Sequence, residues 1–225
     1  MSARSTHPLR ALALTLALTL TLTITLALRQ PTASAHPVTF QGGTAFALMS
    51  QGDMTLWEAN HSLSRAVAIG ADYLRLGDKE RLGFARANLL VHRWLGEGSQ
   101  GNLYLLGGVG GGERGGAPGW AWLGGVQADY ETPHLYTALM ARAVGGPSLS
   151  PGDLGYQALY RAGFAPYVAP ADGLQSWLVF QVSRDSSMSG PLTVTALMRM
   201  FYRQALWEIG ADTEGRPWLH LMTHF

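Results

Sequence analysis

Cysteine is missing from all 225 residues, and lysine occurs once, at Lys79. The first absence excludes disulfides and thiolate metal centres. The second is unusual for a water-facing surface, which recruits lysine freely. Charged residues of all kinds are only 14% of the chain, against roughly 25% in an average soluble protein, and their balance of +1 gives no basic excess for nucleic acid. Beyond Leu28 no apolar run approaches the ~18 residues a membrane helix requires, so any later membrane contact must be made by strands.

The one long apolar run is at the start. Met1 to Arg10 carries two arginines and no acid, Ala11 to Leu28 is 18 residues of Ala, Leu, Thr and Ile, and Ala33-Ser34-Ala35 follows the helix breaker Pro31. A basic start, an apolar middle and a small-x-small end predict a cleavable helical signal peptide over residues 1–35, with the mature chain being 36–225. Removing Arg4, Arg10 and Arg29 from the 16 basic residues leaves 13 against 15 acids, a balance of −2.

The mature chain repeats one unit: about ten residues of alternating character bounded by Gly, Pro, Ser or Asp. Twelve such segments are predicted as strands: Val38 to Ser50, Met54 to Asn60, Ala66 to Leu76, Leu82 to Leu95, Asn102 to Val109, Trp120 to Tyr130, His134 to Val144, Tyr156 to Val168, Leu174 to Val182, Leu192 to Tyr202, Ala205 to Gly210 and Trp218 to Phe225. In the tenth, Leu192, Val194, Ala196, Met198 and Met200 oppose Thr193, Thr195 and Arg199. Alternation alone allows a soluble sandwich with its apolar face inward.

Three patterns favour the inverted arrangement. The connections Gly110 to Gly119, Gly145 to Gly155, Ser183 to Pro191 and Ala211 to Pro217 are longer than those between them, which predicts long loops at one end and short turns at the other, with Gly52-Asp53 and Gly77-Asp78-Lys79-Glu80 as exceptions. Trp57, Trp94, Trp120, Trp122, Trp207, Trp218, Tyr130 and Tyr202 sit near strand ends, as an interfacial girdle requires; Trp177, on a face with Gln175 and Gln181, does not fit it. The faces opposite the apolar ones carry Glu58, Asn60, Asp72, Arg86, Asn88, His92, Gln127, Asp129, Gln157, Arg161, Gln181, Arg199, Glu208 and His220, mixed in sign and predicted to line a lumen.

The last nine residues carry a family resemblance. In P-W-L-H-L-M-T-H-F, Leu219, Leu221, Thr223 and Phe225 form one face and Trp218, His220, Met222 and His224 the other. A terminal strand with an apolar row ending in an aromatic resembles the assembly signal of Gram-negative outer-membrane β-barrel proteins. The resemblance implies that Leu219, Leu221 and Phe225 are read by the barrel-assembly machinery and that the chain resides among outer-membrane lipids. The expected fold class is all-β: a single transmembrane antiparallel β-barrel of about 12 strands (10–12), narrow or internally obstructed. The expected function is a small porin-like passage for small solutes, lined by Glu58, Asn60, Asp72, Arg86, Asn88, Asp129, Arg161, Arg199 and Glu208. The alternatives are a soluble or surface-attached secreted β-protein and a metal-binding or lipid-modifying barrel.

Chemistry beyond passage has little support in the residues. Gly110, Gly112 and Gly115 match G-x-G-x-x-G, but Pro118 and W-A-W follow where a dinucleotide site needs a helix, so the stretch reads as a flexible hairpin loop. Outer-membrane barrels that hydrolyse lipids by serine chemistry place Ser two residues after His, and no histidine here has that neighbour. His220, Met222 and His224, with His36 at the expected mature N-terminus, are the best metal-ligand types, yet they lack a second cluster. No enzyme activity, cofactor or metal is therefore expected, and no nucleic-acid partner.

Overall fold

The computed structural model describes residues 37–78, 80–114, 116–145, 155–170, 172–186 and 192–225. The expected leader and its cleavage site, His36, Lys79, Gly115 and the 146–154 connection lie outside them.

The described chain is all-β. Twelve strands follow in order: β1 Thr44–Gln51, β2 Met54–Ser62, β3 Val67–Leu76, β4 Glu80–Gly96, β5 Ser99–Arg114, β6 Ala117–Glu131, β7 Leu135–Gly145, β8 Gly155–Phe164, β9 Gln175–Asp185, β10 Thr193–Tyr202, β11 Ala205–Asp212 and β12 Pro217–His224. Each pairs antiparallel with its sequence neighbours, and β1 pairs with β12 to close the barrel. The seam runs from Ala45 opposite His224 to Gln51 opposite Trp218. Thr44 N–H donates to Phe225 O at 2.7 Å and Phe225 N–H returns a bond to Thr44 O at 2.9 Å. Closure leaves no open edge.

Sequence alternation becomes two walls. Outward stand Phe46, Ile69, Leu105, Leu139, Tyr160, Phe180, Val194 and Ile209, all exposed, with Val109 reaching 67%. Inward stand Asp72, Arg86, Asn88, Asp129, Gln157, Arg161, Gln181, Thr195 and Glu208, all buried. A soluble fold buries its apolar row and wets its polar one; here the assignment is reversed. The lumen also has apolar patches: Met54, Leu56, Leu74, Leu82, Phe84, Ala121 and Leu123 pack inside the half away from the termini. The rim where β1 begins and β12 ends is called the terminal rim below, and the opposite one the far rim.

Four expectations are corrected. The first strand begins at Thr44, not Val38. Residues 37–40 instead fold into the terminal mouth: Val38 is 1% exposed against Ala68 and Tyr104, and Ser62 Oγ accepts from Thr39 N–H at 2.9 Å.

The glycine-rich stretch is not a loop, since β5 runs to Arg114 and β6 starts at Ala117. Gly110 and Gly112 are ladder residues opposite Phe84 and Leu82. A Cβ at Gly110 would strike the backbone of Gly83 and Phe84, so glycine is required where β5 lies hard against β4.

The loop asymmetry is weaker than expected. Turns of two residues occur at the far rim, while the connection from Phe164 to Gln175 at the terminal rim is longer. Pairing absorbed the residues that composition assigned to the far-rim loop between β5 and β6.

Finally, His92 does not face the lumen. The register slips between Leu90 and His92, a β-bulge that consumes Val91 and exchanges the faces beyond it. His92 is exposed beside Trp94, with ring centroids 4.5 Å apart, and Arg93 turns inward to Asn102 at 2.7 Å.

Candidate functional site: the charged lumen

Two ion clusters dominate the lumen. In the first, Arg86 on β4 reaches Glu58 on β2 and Asp72 on β3, each at 3.1 Å. Its Nη2 also donates to Asn60 Oδ1 at 3.0 Å, an atom that accepts from Asn88 Nδ2 at 2.9 Å. One guanidinium thus binds two carboxylates, with a shared amide fixing its position.

The second cluster inverts that ratio. Glu208 on β11 receives Arg161 Nη1 at 3.0 Å and lies 3.8 Å from Arg199 Nε. Its other oxygen accepts from Trp218 Nε1 at 3.3 Å and pairs with His220 Nδ1 at 3.2 Å. Arg161 is further held by Gln181 Oε1 at 2.7 Å and lies over the Trp218 ring, 5.2 Å from its centroid. Arg199 lies over the Tyr136 ring at 4.4 Å. Nearer the terminal rim Asn102 accepts from Arg93 and donates to Asp129 at 2.6 Å.

These clusters surround a chain of three spaces. A central cavity of about 150 Å³ is bordered by Glu58, Asn60, Asp72, Arg86, Arg161, Arg199, Glu208 and His220. A far vestibule of about 780 Å³ shares Leu74, Arg142 and Val144 with it. A terminal vestibule of about 560 Å³ shares Tyr136 and Arg199 with it and opens past Trp177 and Phe201. Pro37, from the segment in the terminal mouth, also touches the central cavity.

Of the residues singled out in the sequence, Glu58, Asn60, Asp72, Arg86, Arg161, Arg199 and Glu208 border the central cavity. Asn88 lies behind it on Asn60, and Asp129 sits in the separate Arg93–Asn102 group. Trp57, Trp94, Trp120, Trp122 and Tyr130 are exposed on the outer wall, whereas Trp218 is 2% exposed within the lumen. His224 Nε2 contacts Met222 Sδ at 3.1 Å, and among the described residues no group of three or more His, Cys, Asp or Glu side chains could hold a metal.

Sequence reading missed Arg142. It stands on β7 in an inward row with Tyr136, Ala138, Met140 and Val144, where only one other member is polar. Its placement between β6 and β8, opposite Gly125 and Gln157, brings it to the junction of two chambers. A lone arginine bracketed by Ala141 and Ala143 gives no row to read.

No family model matches the chain, and no curated protein matches it in sequence. Among solved structures it is similar to one described as the KdgM porin in complex with disordered oligogalacturonate, at 8% identity and a TM-score of 0.49, covering 81% of this chain and 98% of that one. The barrel assignment rests on the strand pairing of this chain itself.

Proposed function

We propose that the protein is an integral outer-membrane β-barrel whose lumen passes small solutes along a narrow, charge-lined path. The observation that carries the reading is the three-space series within a closed barrel whose outer wall is apolar. An apolar wall over a satisfied backbone suits lipid. With both termini on the periplasmic side, the far vestibule faces outward from the cell and the terminal vestibule faces the periplasm. The ion clusters of Arg86 and Glu208 fix the lumen wall along which solute moves. No residue is assigned a catalytic role.

The small central cavity favours a second reading, a closed barrel whose role is structural. Planar bilayers separate the two. The refolded mature barrel is expected to give single-channel steps of small conductance, and its absence from the outer-membrane fraction of cells would exclude both. A correctly folded barrel, identified by heat-modifiable gel migration, that gives no steps selects the structural reading.

A further inference from the structure

Among the four arginines bordering the central cavity, Arg142 differs from the others. Arg86, Arg161 and Arg199 are each tied to carboxylates, while the Arg142 guanidinium has neither a hydrogen bond nor an ion pair with a described residue. Glu58 and Asp72 border the same cavity, and Asp185 borders the far vestibule with it. Three carboxylates, Glu58, Asp72 and Glu208, face four guanidiniums around the cavity. Within the central cavity the surplus positive charge is therefore the one whose donors no described residue engages, while Asp53, Glu80 and Asp185 join it only on the far-vestibule side.

Its position gives that surplus a use. Arg142 borders both the central cavity and the far vestibule, so a solute crossing between them passes it. The central cavity, about 150 Å³, is the smallest of the three spaces, against about 780 and 560 Å³ for the vestibules, so a hydrated solute is most crowded there. A solute entering must shed water, and only a group that replaces those bonds offsets the loss. A guanidinium with unengaged N–H groups replaces them for a planar or tetrahedral oxyanion, to which it donates two parallel bonds.

We infer that Arg142 is the solute-contacting residue of the passage and that the passage selects small oxyanions, carboxylates or phosphate. This rests on the passage reading. The lumen wall supplies structure through Arg86 and Glu208, and Arg142 supplies selectivity.

The test uses the refolded mature barrel, with folding of each variant checked by heat-modifiable migration. Under a KCl gradient the wild type gives an anion-selective reversal potential; Arg142→Gln loses it, and Arg142→Lys keeps its sign. Inorganic phosphate, added as a probe to the detergent-solubilised barrel, binds about tenfold more weakly to Arg142→Gln, the loss expected for one charge-assisted contact. Conductance that is cation-selective, or is unchanged in Arg142→Gln, overturns the inference and leaves the passage standing. Absent conductance with phosphate binding that Arg142→Gln weakens removes the passage and keeps the oxyanion site. Absent conductance with no phosphate binding removes both.

Discussion

Arg161 on β8 meets Glu208 on β11 at 3.0 Å, with β9 and β10 lying between their strands. The pair is a chord across the lumen rather than a rung of one ladder. Arg86 on β4 and Glu58 on β2 form a shorter chord over β3. Backbone hydrogen bonds close the barrel along its wall, while these chords fix the distance between wall segments that do not touch. A lumen so braced holds its shape without being filled by a continuous apolar core.

The chord predicts an asymmetric cost. Glu208 is 1% exposed and engages Arg161, Arg199, Trp218 and His220. Glu208→Ala leaves two buried guanidiniums facing each other without their anion, and we expect a loss of about 3–5 kcal/mol in unfolding free energy. Denaturant titration of the barrel in detergent, followed by tryptophan fluorescence, measures it. Glu208→Ala together with Arg161→Met restores part of the loss, and a double variant no more stable than the single one excludes the chord as a brace.

The glycine-rich strand makes a positional prediction. A Cβ at Gly110 meets backbone atoms of Gly83 and Phe84, which cannot rotate away, whereas one at Gly107 meets nothing within 4 Å. Gly110→Val is expected to destabilise the barrel by about 3 kcal/mol or more, through overpacking against fixed atoms. Gly107→Ala is expected to change stability by less than about 0.5 kcal/mol. Comparable unfolding midpoints for the two variants would reject the close approach of β4 and β5.

The same strand shows where sequence and structure part. Period-two alternation in stretches such as Leu192 to Tyr202 was legible because each residue type reports its own face, and β10 occupies Thr193–Tyr202. A glycine reports no face, so the stretch from Gly110 read as a loop although register with β4 makes Gly110 to Gly112 strand. The bulge at Val91 was illegible for a related reason: one extra residue inverts every later face, and Val91 is as good a strand former as its neighbours. The row containing Glu58, Asp72, Arg86, Arg161 and Glu208 could be placed on one wall from alternation. Which of them pair could not, because the chords join strands distant in sequence.

The segment in the terminal mouth predicts a conductance change. Val38 is buried on Ala68 and Tyr104, a burial that contributes about 2 kcal/mol and favours the seated over the released segment by a factor of about 30. Thr39 adds its bonds to Ser62. Val38→Asp places a charge in that apolar niche and should release the segment, so single-channel conductance is expected to rise while the unfolding midpoint of the barrel stays close to wild type. An unaltered conductance in a folded Val38→Asp barrel means that residues 37–40 do not limit the passage.

The closing strand separates two roles that one residue combines. Phe225 exchanges two backbone bonds with Thr44, and its ring packs on Phe46 with centroids 5.5 Å apart. Phe225→Asp keeps the backbone exchange and removes the ring pair, worth about 0.5–1.5 kcal/mol, and the burial of a half-buried ring, for a total of about 1–3 kcal/mol in the purified barrel. That is too little to prevent folding of a domain of ordinary stability. If the ring served only the seam, cells would still assemble most of the variant. If Leu219, Leu221 and Phe225 are read by an assembly machinery, the variant refolds in detergent yet accumulates unassembled in cells, because recognition fails before closure is reached. We expect the second pattern, measured as heat-modifiable barrel in outer-membrane fractions against refolding yield in vitro. Equal losses in the two measurements would assign Phe225 to the seam alone.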